Sequence, residues 1–285
     1  LGDVCPYTLT EERRGTTYRR AYAIHDGTLE PGRIAFDQDT LGLIPRVETK
    51  LYAKRREVKA LMKTAYTPVL DAYQLALKLV MNSMYGLLGA KQGYLPDVEL
   101  AEFITAMGRM FIEWTRVRVE RVPGLRVCGG DTDSVFVRYM ESPTEWSAEQ
   151  YHAHWTALAA DITATYGHEA MNLEYEKMYR GKPNCLSWLL VAKKRYAGYK
   201  WDAGATEGKL VYTGLECKRR DFCEHTRIAM KTLLRDLFTG GIRDALDTLY
   251  ATLHAHITGT PTGTPTGTPT GTPTDGFILS KQFFK

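Results

Sequence analysis

Apolar positions change rhythm several times along the chain. From Arg46 to Ala65 they recur at roughly helical spacing, at Val47, Leu51, Val58, Leu61 and Met62, which predicts an amphipathic helix. Pro68 opens a second helical stretch, Val69 to about Leu88. Proline is tolerated in a first helical turn, where its missing N–H has no partner to lose. The short connection predicts an antiparallel helical hairpin. A third helix is predicted over Leu100–Arg121. After Pro123-Gly124 the pattern becomes that of strands: Leu125–Cys128, a glycine-containing turn, then Val135–Met140. Residues 142–170 read as helical with exposed charges. Leu173–Tyr179 and Trp188–Trp201 read as strands, the first because Leu173 and Tyr175 alternate with Glu174 and Glu176. Helices return after Asp221. Residues 1 to about 45 read as irregular, with Pro6, Gly27, Pro31-Gly32 and Gly42 as punctuation. Thr258–Thr274 is a Gly-Thr-Pro-Thr repeat that buries nothing against its ordering entropy and is expected to be a disordered linker.

Composition narrows the class only a little. With 285 residues, 44% of them hydrophobic and 25% charged, the chain can build a sizeable core. No apolar run approaches the ~20 residues that span a bilayer, so no membrane is expected as a partner. The chain opens Leu1-Gly2-Asp3-Val4 and stops soon after an apolar pattern resumes at Phe277–Phe284; the expectation is a fragment. A net charge of +4 does not announce a polyanion binder. The basic residues are clustered, however, at Lys50–Lys63, Lys193–Lys200 and Lys218–Arg220, and clustered charge can bind phosphates at modest total charge. Five cysteines, at 5, 128, 185, 217 and 223, form no C-x-x-C pair. That points to a reducing intracellular compartment and to small core residues rather than disulfides or a zinc site.

Five constellations carry candidate chemistry. Asp131-Thr132-Asp133 lies between two apolar strand runs, and two carboxylates in one tight turn can reach one locus. Oxygen ligands suit Mg²⁺, which needs only one or two carboxylates beside substrate phosphates; a bare turn reads the same way, since Asp and Ser are turn residues. Gln74, Lys78, Asn82 and Tyr85 share one helical face by their spacing, with apolar Leu75, Leu79 and Met81 set against them. Lysine can pair with a triphosphate, and an aromatic beside Gly86 can stack near a base. A solvated face, or capping by Asn82-Ser83 and Gly86, explains the same residues. Arg55, Lys59 and Lys63 recur every four residues on the preceding helix, so two basic faces could converge; a charged solvent face is the alternative. Lys193-Lys194-Arg195-Tyr196, followed by Tyr199 and Trp201, interleaves cations and aromatics as a nucleic-acid backbone requires. Gly214-Leu215-Glu216-Cys217-Lys218-Arg219-Arg220-Asp221 is a glycine entry into a basic turn.

In this order the five resemble family B DNA polymerases. Lys78-x-x-x-Asn82-Ser83-x-Tyr85-Gly86 is similar to the family's motif B, and Gly130-Asp131-Thr132-Asp133-Ser134 to its motif C. Lys193-Lys194-Arg195-Tyr196 resembles the palm motif that follows. Gly214-Leu215-Glu216 with Arg219-Arg220-Asp221 resembles the approach to the thumb, and Gly42-Leu43-Ile44-Pro45 the entry to the fingers. The resemblance covers nearly the whole chain except the repeat. It points to eukaryotic replicative and large DNA-virus polymerases, herpesvirus-like ones included, and the repeat leans the reading towards a virus.

The resemblance implies an α+β fold: palm residues 1–45, helical-hairpin fingers 46–92, palm with an antiparallel sheet 93–212, and partial helical thumb 213–285. It implies DNA-directed DNA synthesis in replication by a two-metal mechanism with two Mg²⁺ ions. Asp131 and Asp133 would be catalytic and metal-binding. Arg55, Lys59, Lys78, Asn82 and Tyr85 would bind the incoming nucleotide. Lys193, Lys194, Arg195, Tyr196, Lys218, Arg219 and Arg220 would contact DNA. Implied partners are primer–template DNA, dNTPs and a processivity factor, and the implied location is the nucleus, of the host if viral. The family's motif A, with a further metal-binding aspartate and a Ser-Leu-Tyr-Pro-Ser sequence, does not occur here. One ligand of the metal site is therefore missing, and the chain by itself is expected to be inactive. Gly129 stands where the family usually has Tyr, and Gly181–Ser187 is longer than the family's usual turn. Alternatives are a catalytically silent polymerase-like scaffold subunit and a plain DNA-binding module.

Overall fold

The computed structural model describes residues 3, 5–25, 28–141, 146–167, 171–181, 185–202 and 207–258, with the side chains of residues 255 and 256 excepted. The Gly-Thr-Pro-Thr repeat after Thr258, and Phe277–Phe284, lie outside them. Among the described residues the fold is α+β: six α-helices and antiparallel sheets. It divides into two units, residues 1–142 with 160–173, and 143–159 with 174–285.

The first unit opens with three strands, β1 (Thr10–Arg13), β2 (Thr16–His25) and β3 (Thr28–Asp37), in an antiparallel meander. This corrects the irregular reading of residues 1 to 45. The β1–β2 turn is Arg14-Gly15 with φ of 51° and 80°. Two left-handed residues make a type I′ loop, which suits hairpin twist, but Arg-Gly is a weak turn signal in a sequence. Pro31 and Gly32, read as breakers, lie within β3. Tyr22 pairs with Pro31 beside a bulge between Arg20 and Tyr22, and β3 pairs only with β2, an edge where a missing N–H is tolerated. A Cβ on Gly32 would sit 2.7 Å from the Ala21 carbonyl oxygen, so the bulge needs glycine there.

Helices α1 (Leu43–Thr64) and α2 (Pro68–Gly89) pack together as the predicted hairpin. Thr67 caps α2 by accepting from Leu70 N at 3.2 Å, with Pro68 in the first turn. Helix α3 (Val98–Glu120), capped by Asp97, forms the spine of this unit. It packs on β2 and on the hairpin of β4 (Leu125–Asp131) and β5 (Ser134–Tyr139). Its buried stripe includes Met107, Met110, Phe111, Trp114 and Val119. Trp114 is 0% exposed and its indole N–H donates to Thr165 Oγ1 at 2.9 Å. The buried Thr115 hydroxyl lies 2.6 Å from the Tyr166 hydroxyl, so the spine's polar groups are satisfied where it is driest. The unit boundary falls within α4 (Ala148–Thr165).

The second unit is built on β8 (Arg195–Trp201). Strand β9 (Lys209–Thr213) runs along one edge; β7 (Trp188–Ala192) and then β6 (Met178–Tyr179) share the other. Two readings change here. Trp188–Trp201 is a hairpin of two strands rather than one strand, because Lys194 turns the chain at φ 60°. The alternating Leu173–Lys177 is not strand; only Met178 and Tyr179 pair. β9 was not foreseen. Helix α5 (Glu224–Thr239) packs on β8, and α6 (Ile242–Thr258) on α5. Ala197, Leu215, Cys217, Leu234 and Phe238 form the core. The Tyr179 ring covers Gly198 so closely that a Cβ there would overlap it; burial pushes the Tyr179 hydroxyl up to about 12. Gly198→Ala should therefore cost about 1–3 kcal/mol by overpacking, read as a lower urea midpoint with an unchanged m-value.

All five cysteines are free thiols. Cys5, Cys217 and Cys223 are buried as expected; Cys128 is exposed, because it is the extra residue of a bulge between Val127 and Gly129. Among the described residues no helix is long and apolar enough to cross a membrane.

Candidate functional site

The carboxylate turn is the tip of the β4–β5 hairpin. Asp131 pairs with Ser134, leaving Thr132-Asp133 as a two-residue loop. Thr132 has φ 58°, and the Asp133 N–H donates to the Asp131 carbonyl at 2.7 Å. A single left-handed residue at the first loop position is where such hairpins place glycine; a β-branched residue there is a backbone outlier that costs ~1–3 kcal/mol. The Ser134 hydroxyl donates to the Asp131 carbonyl at 3.1 Å, and the Thr132 hydroxyl to Asp131 Oδ1 at 3.2 Å. Asp131 is half-buried. Asp133 is exposed, and no described residue pairs with its carboxylate. A Cβ on Gly130 would lie 2.7 Å from the Ser134 carbonyl oxygen, so the glycine lets the strands close on the loop. Two oxygen-bearing side chains in this turn fit part of a Mg²⁺ shell, which phosphates and water can complete. No group of three or more potential metal ligands occurs among the described residues.

The α1–α2 hairpin arranges the candidate phosphate-binding residues. Its seam holds Ile44, Glu48, Leu51, Arg55, Val58 and Met62 from α1, and Leu70, Gln74, Leu77, Met81, Met84 and Leu88 from α2, all buried or half-buried. Steps of three and four are the signature of a coiled-coil seam. Gln74 therefore belongs to the seam rather than to an open face, accepting from Arg55 Nη2 at 3.4 Å and donating to Asp71 Oδ1 at 3.0 Å. Leu75 and Leu79, the apolar positions set against that face, are 49% and 60% exposed. Burial also pushes the seam carboxyl of Glu48 up. Lys59 and Lys78 lie one turn, about 6 Å, to either side of the Arg55–Gln74 level. Both flank the seam in the same rotational sense, which in an antiparallel pair puts them on one side of the hairpin. Lys59, Lys63, Lys78, Asn82 and Tyr85 are exposed. Capping does not explain Gly86, since α2 continues to Gly89. Nothing lies within 4 Å of a Cβ placed on Gly86.

In the second unit the two basic motifs meet. Lys193 and Lys194 form the β7–β8 loop, and Thr213 pairs with Tyr196, so Gly214 arrives beside that loop. Gly214 has φ 62°, and a Cβ on it would collide with the Lys194 carbonyl. Arg195 is ion-paired with Glu216, which ties one motif to the other. Leu215 and Cys217 are buried while Lys218, Arg219 and Arg220 are exposed. Lys218 Nζ stands 5.6 Å from the Tyr212 ring centre, and Arg219 pairs with Asp221. Tyr196 is 7% exposed, which removes its side chain from the exposed set. Sequence order alone concealed that convergence, because β9 supplies it.

Residues 2–274 match the family profile described as DNA polymerase family B. The chain is 39% identical over 206 residues to a DNA polymerase of Paramecium bursaria Chlorella virus NY2A, covering 68% of this chain and 21% of that protein. It is 33% identical over 208 residues to the DNA polymerase delta catalytic subunit of Dictyostelium discoideum (69% and 18% covered). With that of Oryza sativa subsp. japonica it shares 36% over 194 residues (64% and 17%). The chain spans about a fifth of the length of these relatives.

Proposed function

The chain belongs to DNA polymerase family B, and from that premise we propose that the polypeptide carrying it is a DNA-directed DNA polymerase that extends a primer in DNA replication. The observation that carries the reading is the hairpin tip. Two carboxylates are held on a loop whose middle residue, Thr132, takes a conformation that threonine disfavours. Asp131 and Asp133 would hold Mg²⁺ at that tip, where a bound ion would supply charge neutralisation for the reacting phosphate and activation of the primer hydroxyl. Asp131 is oriented by the Thr132 hydroxyl, while Asp133 is left open to the ligand.

Residues 46–92 serve as fingers. Lys78 and Lys59 neutralise the triphosphate from either side of Arg55, and Gln74 holds the Arg55 guanidinium in the seam. Asn82 and Tyr85 line the base-pair pocket; Gly86 supports this, as an interior helical glycine costs ~1 kcal/mol and no described neighbour requires it. Residues 1–45 and 93–212 serve as palm and 213–285 as part of a thumb. Lys193, Lys194, Lys218, Arg219 and Arg220 contact the primer–template backbone, and Arg195 positions them through Glu216. Five free thiols fit an intracellular, reducing location.

Primer extension by the full-length protein tests the reading. Lys78→Ala should raise the KM for dNTP at least ~10-fold, the loss of one charge-assisted contact of about 1.5–3 kcal/mol. A wild-type protein that binds primer–template but extends nothing would favour the silent scaffold. Salt-sensitive binding indifferent to dNTP and Mg²⁺ would favour the plain DNA-binding module.

A further inference from the structure

The β4–β5 register places two arginines directly opposite each other: Arg126 pairs with Arg138. Both are exposed, and among the described residues neither has a carboxylate partner. The Arg138 guanidinium reaches Met140 Sδ from Nη2 at 3.6 Å, a contact too long and too weak to offset a charge. Like charges directly opposite on a sheet destabilise it, so the fold gains nothing from this pair.

The pair shares a face with the carboxylate turn. Residues paired across a hairpin lie on the same face, and Arg126/Arg138, Gly129/Phe136 and Asp131/Ser134 are such pairs. Strict alternation along β4 would set Arg126 and Asp131 on opposite faces, five residues apart. The bulge at Cys128 inserts one residue and brings them to the same side. The other face carries Leu125, Val127, Val135 and Val137 and is the apolar side of a hairpin that packs on α3. Four residues separate Ser134 from Arg138, about 13 Å of strand. A nucleic-acid strand ending at Asp131 and lying along this face would bring a backbone phosphate over the pair, since phosphates recur every ~3.4 Å of helix axis per strand.

Resting on the polymerase reading above, we propose that Arg126 and Arg138 form a cross-strand phosphate clamp on the primer–template backbone, upstream of the carboxylate turn. A bound phosphate turns the mutual repulsion of the two guanidinium groups into shared attraction, and arginine's fork suits phosphate oxygens. The contact is to backbone and is indifferent to sequence.

The test uses the full-length polymerase and a primer–template duplex titrated at several salt concentrations. The double variant Arg126→Gln/Arg138→Gln should make the log–log salt slope shallower by about 1.8, from two contacts at ~0.9 each, with the KM for dNTP unchanged. Arg126→Glu should weaken duplex binding while its melting temperature holds or rises, because opposite charges then face each other across the hairpin. An unchanged salt slope in the double variant would overturn the clamp, and so would loss of the folded state in Arg126→Glu. Extension by the wild type with an unchanged slope in the variant removes the clamp and leaves the polymerase reading. The expected slope change in a protein that extends no primer does the reverse.

Discussion

On the proposed function, replacing Asp133 by alanine in the full-length protein should lower the rate of primer extension by ~10³-fold or more, while primer–template binding and melting temperature stay near their wild-type values. The two halves of that expectation have different origins. Neutralising developing charge at a transferred phosphate is worth several kcal/mol, and each ~1.4 kcal/mol is a factor of ten in rate. Asp133, by contrast, is exposed and pairs with no described residue, so the fold loses little with it. An exposed turn aspartate with no chemical task would behave in the opposite way, leaving both rate and stability alone. Single-turnover extension separates the cases, because it isolates chemistry from DNA release. A variant that still extends within tenfold of the wild-type rate would leave the carboxylate turn without a role in catalysis. Thr132 sharpens the argument. A hairpin under no functional demand has no reason to keep a β-branched residue at φ 58°, where glycine costs nothing.

Trp114→Ala should destabilise the first unit by about 3–5 kcal/mol, the cost of removing a large aromatic from a core that collapses only partly. Trp114 is 0% exposed in the C-terminal half of α3. That helix carries the β1–β3 sheet on one side and the carboxylate hairpin on another, so the loss should be felt at both. Trp114→Phe should cost markedly less, since it keeps most of the buried surface and forfeits chiefly the 2.9 Å bond to Thr165, worth about 1 kcal/mol. Urea unfolding measures both. Equal losses in the two variants would mean that the hydrogen bond, rather than packing, holds the spine in place.

Much of the candidate site was legible because its signals are local. Lys78, Asn82 and Tyr85 sit at helical spacing, and a helix needs only its own backbone to set their direction. The Asp131-Thr132-Asp133 turn lies between two short apolar runs, and a two-residue loop between strands is again a local matter. The helical hairpin was legible for the same reason, with a short connection and a proline at the start of its second helix. The misreadings share an opposite cause. The first three strands carry Thr, Tyr and Arg where a clean alternation would show aliphatics, and Pro31 and Gly32 look like a break unless the edge position and the bulge are known. Leu173–Lys177 alternates as a strand should, but among the described residues no strand pairs with it.

What the sequence supplied by itself was a set of candidate residues, their order, and the elements that hold most of them, Lys193 and Lys194 excepted, which lie in a loop and not in a strand. Tertiary structure decided which of them meet. Gln74 proved to be a seam residue because α1 supplies Arg55 opposite it. Arg195 was claimed by Glu216, and Tyr196 by the core, because β9 and the turn after it return to β8. Arg126 and Asp131 came to share a face through a single bulge. The physical reason is common to all three. Side-chain direction within an element follows its period, whereas the partner across a seam, a strand edge or a bulge is fixed by segments distant in sequence, and burial then settles which charges remain available to a ligand.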